Sequence, residues 1–277
     1  MTKEPKISVL MGIYNCESTV GEAIASIFQQ TYPHWELILC DDGSTDGTYE
    51  TAKRYAAQRP DQCVLLRNDK NRKLAYTLNR CLHAASGELI ARMDGDDISH
   101  PDRFEKQVDY LRSHPDIQLV GTGMQAFDES GPVRRLQRRR CPDQGDIRSG
   151  VPFFHATILA QRTVFDTLKG YTAAERTDGV EDMEFWFRFY AQGFRGENMA
   201  EILYDVRDDL RTARRRTFSR RVRAVQTLAF GYRLLGIPRY RLVFPGLALL
   251  AKGLVPPRMA QWIRKRSPKA FELKTGQ

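Results

Sequence analysis

A glycine-rich phosphate loop is missing from this 277-residue sequence: neither GxGxxG nor GxxxxGK followed by Ser or Thr occurs. Dinucleotide-dependent dehydrogenases and P-loop NTPases, which cradle phosphates in such loops, lose support. A sugar-nucleotide nucleotidyltransferase loses it too, because Gly12-Ile-Tyr-Asn-Cys-Glu near the N-terminus is too poor in glycine. Cysteine is scarce and scattered, at Cys16, Cys40, Cys63, Cys81 and Cys141, with no CxxC pair. An odd count at those spacings fits neither a disulfide framework nor a zinc site, and reads as buried thiols in a reducing cytoplasm. No apolar segment of signal-peptide length precedes Ile7, so export is not expected. The longest C-terminal apolar run, Leu242–Ala251, falls well short of the roughly 20 residues a spanning helix needs. Repeats and low-complexity tracts are absent.

What is present is a globular composition, 42% hydrophobic and 28% charged, sufficient for one large domain or two small ones. Apolar runs at Ile7–Ile13, Trp35–Cys40, Cys63–Arg67 and Glu88–Met93 read as buried strands. Between them, Glu17–Gln30, Thr48–Gln58 and Leu74–Ala85 carry apolar residues at helical spacing. Strands alternating with helices predict βαβ units and a mostly parallel central sheet flanked by helices. Further on, Asp102–Ser113 reads as a helix, Ile117–Gly121 as a strand, Thr157–Leu168 as strand then helix, and Glu181–Gln192 as a helix. The basic, turn-rich Gln137–Gly150 reads as an exposed loop.

Open α/β sheets bind ligands beyond the carboxyl ends of their strands. Three polar clusters follow strands here: Gly12-Ile-Tyr-Asn15, Asp41-Asp-Gly-Ser-Thr-Asp46 and Asp94-Gly-Asp-Asp97. Two carboxylates separated by one glycine, Asp94 and Asp96, can share a divalent cation that also bridges phosphate oxygens. The same residues would suit a plain loop. Asp41-Asp42 can hydrogen-bond a nucleobase or ribose, while Asp41, Ser44 or Asp46 can equally cap the next helix. Glu181-Asp182 opens a helix, where the macrodipole favours acids and where a general base could equally stand.

These clusters form an ordered series with Leu78-Asn79, Gly87-Glu-Leu-Ile-Ala-Arg-Met93, Pro101-Asp-Arg103 and Glu181-Asp-Met-Glu-Phe-Trp186. Over residues 6–207 the chain resembles glycosyltransferase family 2, inverting enzymes of the GT-A fold, in its bacterial polysaccharide and cell-envelope form. The resemblance implies that Tyr14 and Asp42 hold the uracil of a UDP-sugar, with Asn79 and Asp94 on the donor side. It implies Asp96 as main ligand of Mn²⁺ or Mg²⁺ with Asp94 beside it, Asp182 as catalytic base, and Glu181 shaping the acceptor site. Two departures stand out. Lys73 sits where the family often has glycine, and Val206-Arg-Asp-Asp209 lacks the histidine of a Tyr-Arg-x-His-like segment, leaving Asp208 or Asp209 as substitutes for a third ligand. His155 occupies a place where related sequences often have histidine, and reads as structural.

Charge divides the chain at Asp209. Residues 210–277 hold 17 basic residues and one acid, Glu272, a net of +16, whereas residues 1–209 carry −7. The division predicts a catalytic domain over 1–209 and a basic helical extension over 210–277. Basic amphipathic sequence beside a short apolar run fits a helix lying on an anionic membrane. The expected partners are therefore a nucleotide sugar, a glycan or lipid-linked acceptor and the inner face of the cell membrane, with contact between copies of the chain as another use for the tail. Nucleic acid is not expected, since arginines and aromatics do not interleave. The competing non-enzymatic reading is an idle nucleotide-sugar-binding scaffold subunit, which would have no chemical need for both Asp96 and Asp182.

Overall fold

The computed structural model describes residues 4–148, 151–208 and 217–253. Its centre is four parallel strands, β1 (Ile7–Ile13), β2 (Trp35–Asp41), β3 (Cys63–Arg67) and β4 (Leu89–Asp94), in the order β3-β2-β1-β4. Helices α1 (Glu17–Phe28), α2 (Thr48–Ala56) and α3 (Leu74–Ala84) make the crossovers. Side chains alternate across the sheet. Val9, Met11, Leu37, Leu39 and Ala91 enter one apolar core, and Leu10, Ile38, Cys40 and Ile90 enter the other. Burial on both faces explains why these strands read as continuous apolar runs. Each fully buried Leu, Ile or Val contributes about 1.5–3 kcal/mol.

The sheet continues through β8 (Leu159–Gln161), β6 (Leu119–Asp128), β9 (Gly196–Arg207) and β5 (Ile98–Ser99), while β7 (Gly131–Leu136) pairs with β6 as a hairpin. Among the described residues, six of the nine strands run one way, and β5, β7 and β8 oppose them. Helices α4 (Arg103–Ser113), α5 (Arg162–Leu168) and α6 (Glu181–Ala191) complete the layers. The strand expected over Ile117–Gly121 runs on to Asp128, and β9 has no counterpart in the sequence reading. β9 is buried only at intervals, so it lacks a continuous apolar run. Gln137–Gly150, expected as an exposed loop, is partly interior over its described part. Ile147 is buried in the second core, and Arg140 accepts the Asn198 N–H at 2.6 Å.

Of the basic extension, helices α7 (Phe218–Leu234) and α8 (Val243–Gly253) lie within the described residues. Thr217 caps α7 through its hydroxyl, which accepts from Arg220 N–H. Ala224, Thr227, Leu228, Gly231 and Tyr232 form its buried stripe at helical spacing. Leu228 and Tyr232 join the same apolar cluster as Phe185, Trp186 and Phe187 of α6, with Tyr232 edge-on to Phe187. The helix begins beyond Asp209, yet it packs as part of the α/β body. No helix among the described residues is long and apolar enough to cross a membrane.

Candidate active site

Strand register brings the three clusters together. In the parallel pairing Ile13 lies beside Asp41 and Gly12 beside Asp94, so the ends of β1, β2 and β4 share one edge. The loops that follow are laced to one another. Asn15 N–H donates to Ser44 Oγ at 3.0 Å, Thr45 N–H to Asn15 Oδ1 at 2.9 Å, and Cys16 N–H to Thr48 Oγ1 at 2.8 Å. Tyr14, at the tip of β1, remains 42% exposed and can stack on a ligand.

Asp41 and Asp42 divide their work. Asp41 is buried, accepts from Ser44 N–H at 3.3 Å and pairs with Arg67 at 3.2 Å, closing its own turn. Asp42 accepts from Asn68 Nδ2 at 2.6 Å and from the Arg72 and Lys73 N–H groups at 2.7 and 2.9 Å. Its carboxylate thus pins the loop before α3. Lys73, at that loop's end, has φ 71° and ψ 159°, a region nearly reserved for glycine and costing about 1–3 kcal/mol. This explains a glycine preference at the position, and the Asp42 bond helps offset the strain. Asn79 pairs both ways with the Tyr171 main chain, donating to its C=O and accepting from its N–H, each at 2.8 Å. Its amide anchors Tyr171 rather than facing the strand ends.

The Asp94-Gly95-Asp96 turn is held from below and from the side. Arg92, buried under the turn, donates to Asp94 Oδ1 at 2.7 Å, and Arg103 Nη2 donates to Arg92 C=O at 2.9 Å. Tyr204 of β9 accepts from Asp94 N–H at 3.2 Å and hydrogen-bonds the Asp97 carboxyl. Arg207 N–H donates to Asp97 Oδ1 at 2.9 Å and its Nε to Asp96 C=O at 3.1 Å. A Cβ at residue 95 would lie 2.8 Å from Ile13 Cγ2, so only glycine lets the two carboxylates sit against the end of β1. Burial first, then the charges of Asp94 and Asp96, hold the Asp97 carboxyl well above the ordinary range.

That mutual repulsion among all-oxygen donors is the environment a hard divalent cation relieves, so Asp94 and Asp96 fit Mg²⁺ or Mn²⁺. Among the described residues no group of three or more His, Cys, Asp or Glu gathers into a metal cage. Two aspartates alone would offer a hard cation only part of the six or more oxygens it takes. Asp208, a candidate third ligand, is paired with Arg134 at 3.3 Å. Asp209 lies outside the described residues.

Across the site, Glu181 and Asp182 open α6. Burial pushes the Glu181 carboxyl up to about 7, and the Asp182 charge adds to the rise. Burial also raises Asp182, against the opposing charges of Arg220 and Arg92 and the bond it accepts from Met183 N–H at 2.7 Å. Arg92 and Tyr171 interact electrostatically with both carboxylate clusters, the turn after β4 and the start of α6. His155 packs edge-on to Tyr171, Phe185 and Trp186, with Nε2 at 2.7 Å from Tyr171 Oη. Burial, reinforced by the Arg92 charge, keeps it well below the usual imidazole range and hence neutral. Arg138, its guanidinium 4.5 Å over the Phe154 ring, faces Asp182 from the segment after β7.

Arg92, Arg103, Tyr171, Tyr204 and Arg220 carry no role in the sequence reading. An arginine inside the apolar run Leu89–Met93 is the one available signal, because a buried charge needs a partner.

A mostly parallel sheet whose strand ends gather carboxylates is the kind of edge at which open α/β sheets bind ligands. The model of glycosyl transferase family 2 matches residues 8–177, and the chain belongs to that family. It is 50% identical over 219 residues to "Putative glycosyltransferase EpsE" of Bacillus subtilis, covering 79% of each chain. It is 28% identical over 222 residues to the UDP-Gal:alpha-D-GlcNAc-diphosphoundecaprenol beta-1,3-galactosyltransferase of Escherichia coli, covering 76% of this chain and 78% of that one. The fold matches the mannosyltransferase PcManGT of Pyrobaculum calidifontis, solved with GDP-Man and Mn²⁺. That match has a TM-score of 0.66 at 20% identity, over 98% of this chain and 82% of that one. The architecture is GT-A, and the chain is a glycosyltransferase.

Proposed function

We propose that the chain moves a sugar from a UDP-sugar to a hydroxyl of a glycan or lipid-linked acceptor in polysaccharide biosynthesis, with inversion at the anomeric carbon. What supports this reading is the shared edge of β1, β2 and β4, where Asp41 and Asp94 stand beside Ile13 and Gly12, together with Tyr171, which interacts with Asp94 and with both Glu181 and Asp182. Uridine is favoured because a relative at 28% identity is named for UDP-Gal, whereas the GDP-Man complex, at 20%, speaks for the fold alone. The same relative is named for a lipid-diphosphate acceptor, which supports an acceptor of that class here.

In this mechanism Tyr14 stacks on the base while Asp42 fixes the loop around it. Asp94 and Asp96 would hold the divalent cation, which when bound offsets charge on the departing diphosphate. Asp182 takes the proton from the acceptor hydroxyl, the new C–O bond forms on one face of the sugar, and the bond to the diphosphate breaks on the other. No covalent intermediate forms, so positioning and electrostatics supply the acceleration. The test is a panel of UDP- and GDP-sugars incubated with Mn²⁺ or with chelator. Hydrolysis or transfer confined to UDP-sugars and lost with chelator is expected. Turnover of GDP-sugars alone, or turnover indifferent to chelator, would overturn the donor or the cation.

Attachment to the membrane belongs to the same proposal. Helix α8 and the turn before it leave Tyr240, Val243, Phe244 and Leu247 exposed, Phe244 by 83%, in a segment of net +16. Apolar side chains on a short helix within a strongly basic segment suit the interface of an anionic bilayer. Sedimentation with phosphatidylglycerol vesicles should carry the protein down, less so at high salt and less so for Phe244→Asp. Equal sedimentation with neutral phosphatidylcholine, or none with either, would contradict it.

A further inference from the structure

Helix α7 touches the segment that delivers the acidic pair. Both α6 and α7 lie beyond residues 8–177, the part of the chain the family model covers. Three contacts join α7 to the turn ahead of α6. Arg220 Nε donates to Gly179 C=O, Arg223 pairs with Asp178 at 3.7 Å, and Arg176 lies 4.8 Å over the Phe230 ring. The Arg220 side chain lies flat on Gly179, where an added Cβ would meet its Nε at 3.3 Å and its Cδ at 3.4 Å. Gly179 has φ +76°, so the chain reverses there in a conformation that side chains disfavour. One residue later comes Val180, and then Glu181 and Asp182.

We propose that Arg220 is a positioning residue for this pair: it grips the Asp178–Gly179 turn and supplies the counter-charge that faces the start of α6. The proposal rests on reading Asp182 as the catalytic base. Geometry makes Arg220 suitable, since a planar guanidinium can hold a carbonyl through Nε while its two terminal nitrogens remain for other acceptors. Electrostatics agree, because Arg220 is the leading counter-charge opposing the effect of burial on Asp182. The other groups acting on the pair are Arg92 of β4, Arg138 after β7 and Tyr171 after α5. None of these comes from the C-terminal helices. α7 is thereby more than a lid on an apolar face: its docking through Leu228 and Tyr232 sets where Arg220 stands.

The experiment uses the full chain with ¹³C-labelled aspartate carboxyl groups, the Asp182 resonance being identified by its loss in Asp182→Asn. Its titration midpoint is read in wild type, Arg220→Gln, Arg220→Lys and Arg223→Gln, beside the pH profile of transfer. Removing the charge in Arg220→Gln should raise the midpoint by about one unit, as loss of a nearby opposite charge does. The rising limb of the transfer profile should move by the same amount. Arg220→Lys, which keeps the charge, should return most of the shift, and donor affinity should stay as in wild type throughout. Arg223→Gln keeps Arg220 in place and should leave the midpoint near wild type, which controls for general loosening of α7. An unchanged midpoint in folded Arg220→Gln, or an equal shift in Arg220→Lys, would overturn the proposal. A shifted midpoint together with full transfer by Asp182→Asn would uphold Arg220's action on the pair and overturn the base reading instead.

Discussion

Asp182→Asn lowers glycosyl transfer by about 10²–10⁴-fold, the loss that accompanies removal of a positioned general base, while donor affinity stays close to wild type. Asparagine keeps the shape at the start of α6 and can still accept the bond from Met183 N–H, so the helix should hold. What disappears is the group able to take the acceptor proton. The pH dependence follows with a definite sign. The base must be ionised, and burial raises both Asp182 and Glu181, the latter to about 7. Transfer should therefore rise as pH increases through the neutral range and level off above it. The apparent midpoint belongs to the coupled pair rather than to either residue. Steady-state transfer measured from pH 5 to 9 checks both the size of the loss and the direction of the limb. A limb that falls with rising pH in this range would assign the pair to acid rather than base catalysis.

Asp96→Ala removes the cation-dependent part of donor binding, by at least about 10–100-fold, the loss already seen when groups merely supporting a metal ligand are removed. Asp96 is a cleaner probe than Asp94, because Asp94→Ala would also strip the buried Arg92 guanidinium of its 2.7 Å partner. Such an unpaired buried charge costs stability by itself. The direct readout is Mn²⁺ electron paramagnetic resonance, in which wild type with UDP should reduce the free-ion signal beyond what UDP does alone and Asp96→Ala with UDP should not. An identical reduction in both proteins would remove Asp96 from the ligand set.

The parallel half of the sheet was legible because its strands are buried on both faces and so appear as unbroken apolar runs. From those runs the convergence of Tyr14, Asp42, Asp94 and Asp96 followed, since strand ends in such sheets share an edge. The second half was not legible in the same way. β9 alternates irregularly between buried and exposed positions, yet it brings Tyr204 and Arg207 to the turn after β4. The supporting shell was the least readable part of the site. Arg92 stood out only as a charge inside an apolar run and Arg103 only as a motif position, and what they do follows from their partners, Asp94 and the Arg92 carbonyl. Asn79 carries a motif position, but its partner is the main chain of Tyr171, 92 residues away.

The basic extension shows the same limit. Arginines crowd Arg211–Arg223, and local sequence reads them as one solvated or membrane-facing surface. Within that stretch Arg220 and Arg223 turn towards Gly179 and Asp178 instead. Helical periodicity distributes arginines around the axis, so it cannot say which of them meet acceptors some 40 residues upstream. The apolar stripe Ala224–Tyr232 was the usable clue, since it required a partner face on the body of the protein.

Calorimetric titration of one UDP-sugar, in Mn²⁺, into wild type, Asp96→Ala and Asp182→Asn separates donor binding from base catalysis. Wild type and Asp182→Asn should bind with matching affinity, and Asp96→Ala should bind weakly or not at all. Equal donor affinity in all three, or donor binding abolished by Asp182→Asn as fully as by Asp96→Ala, would contradict the division between a donor-holding strand edge and a base-bearing helix.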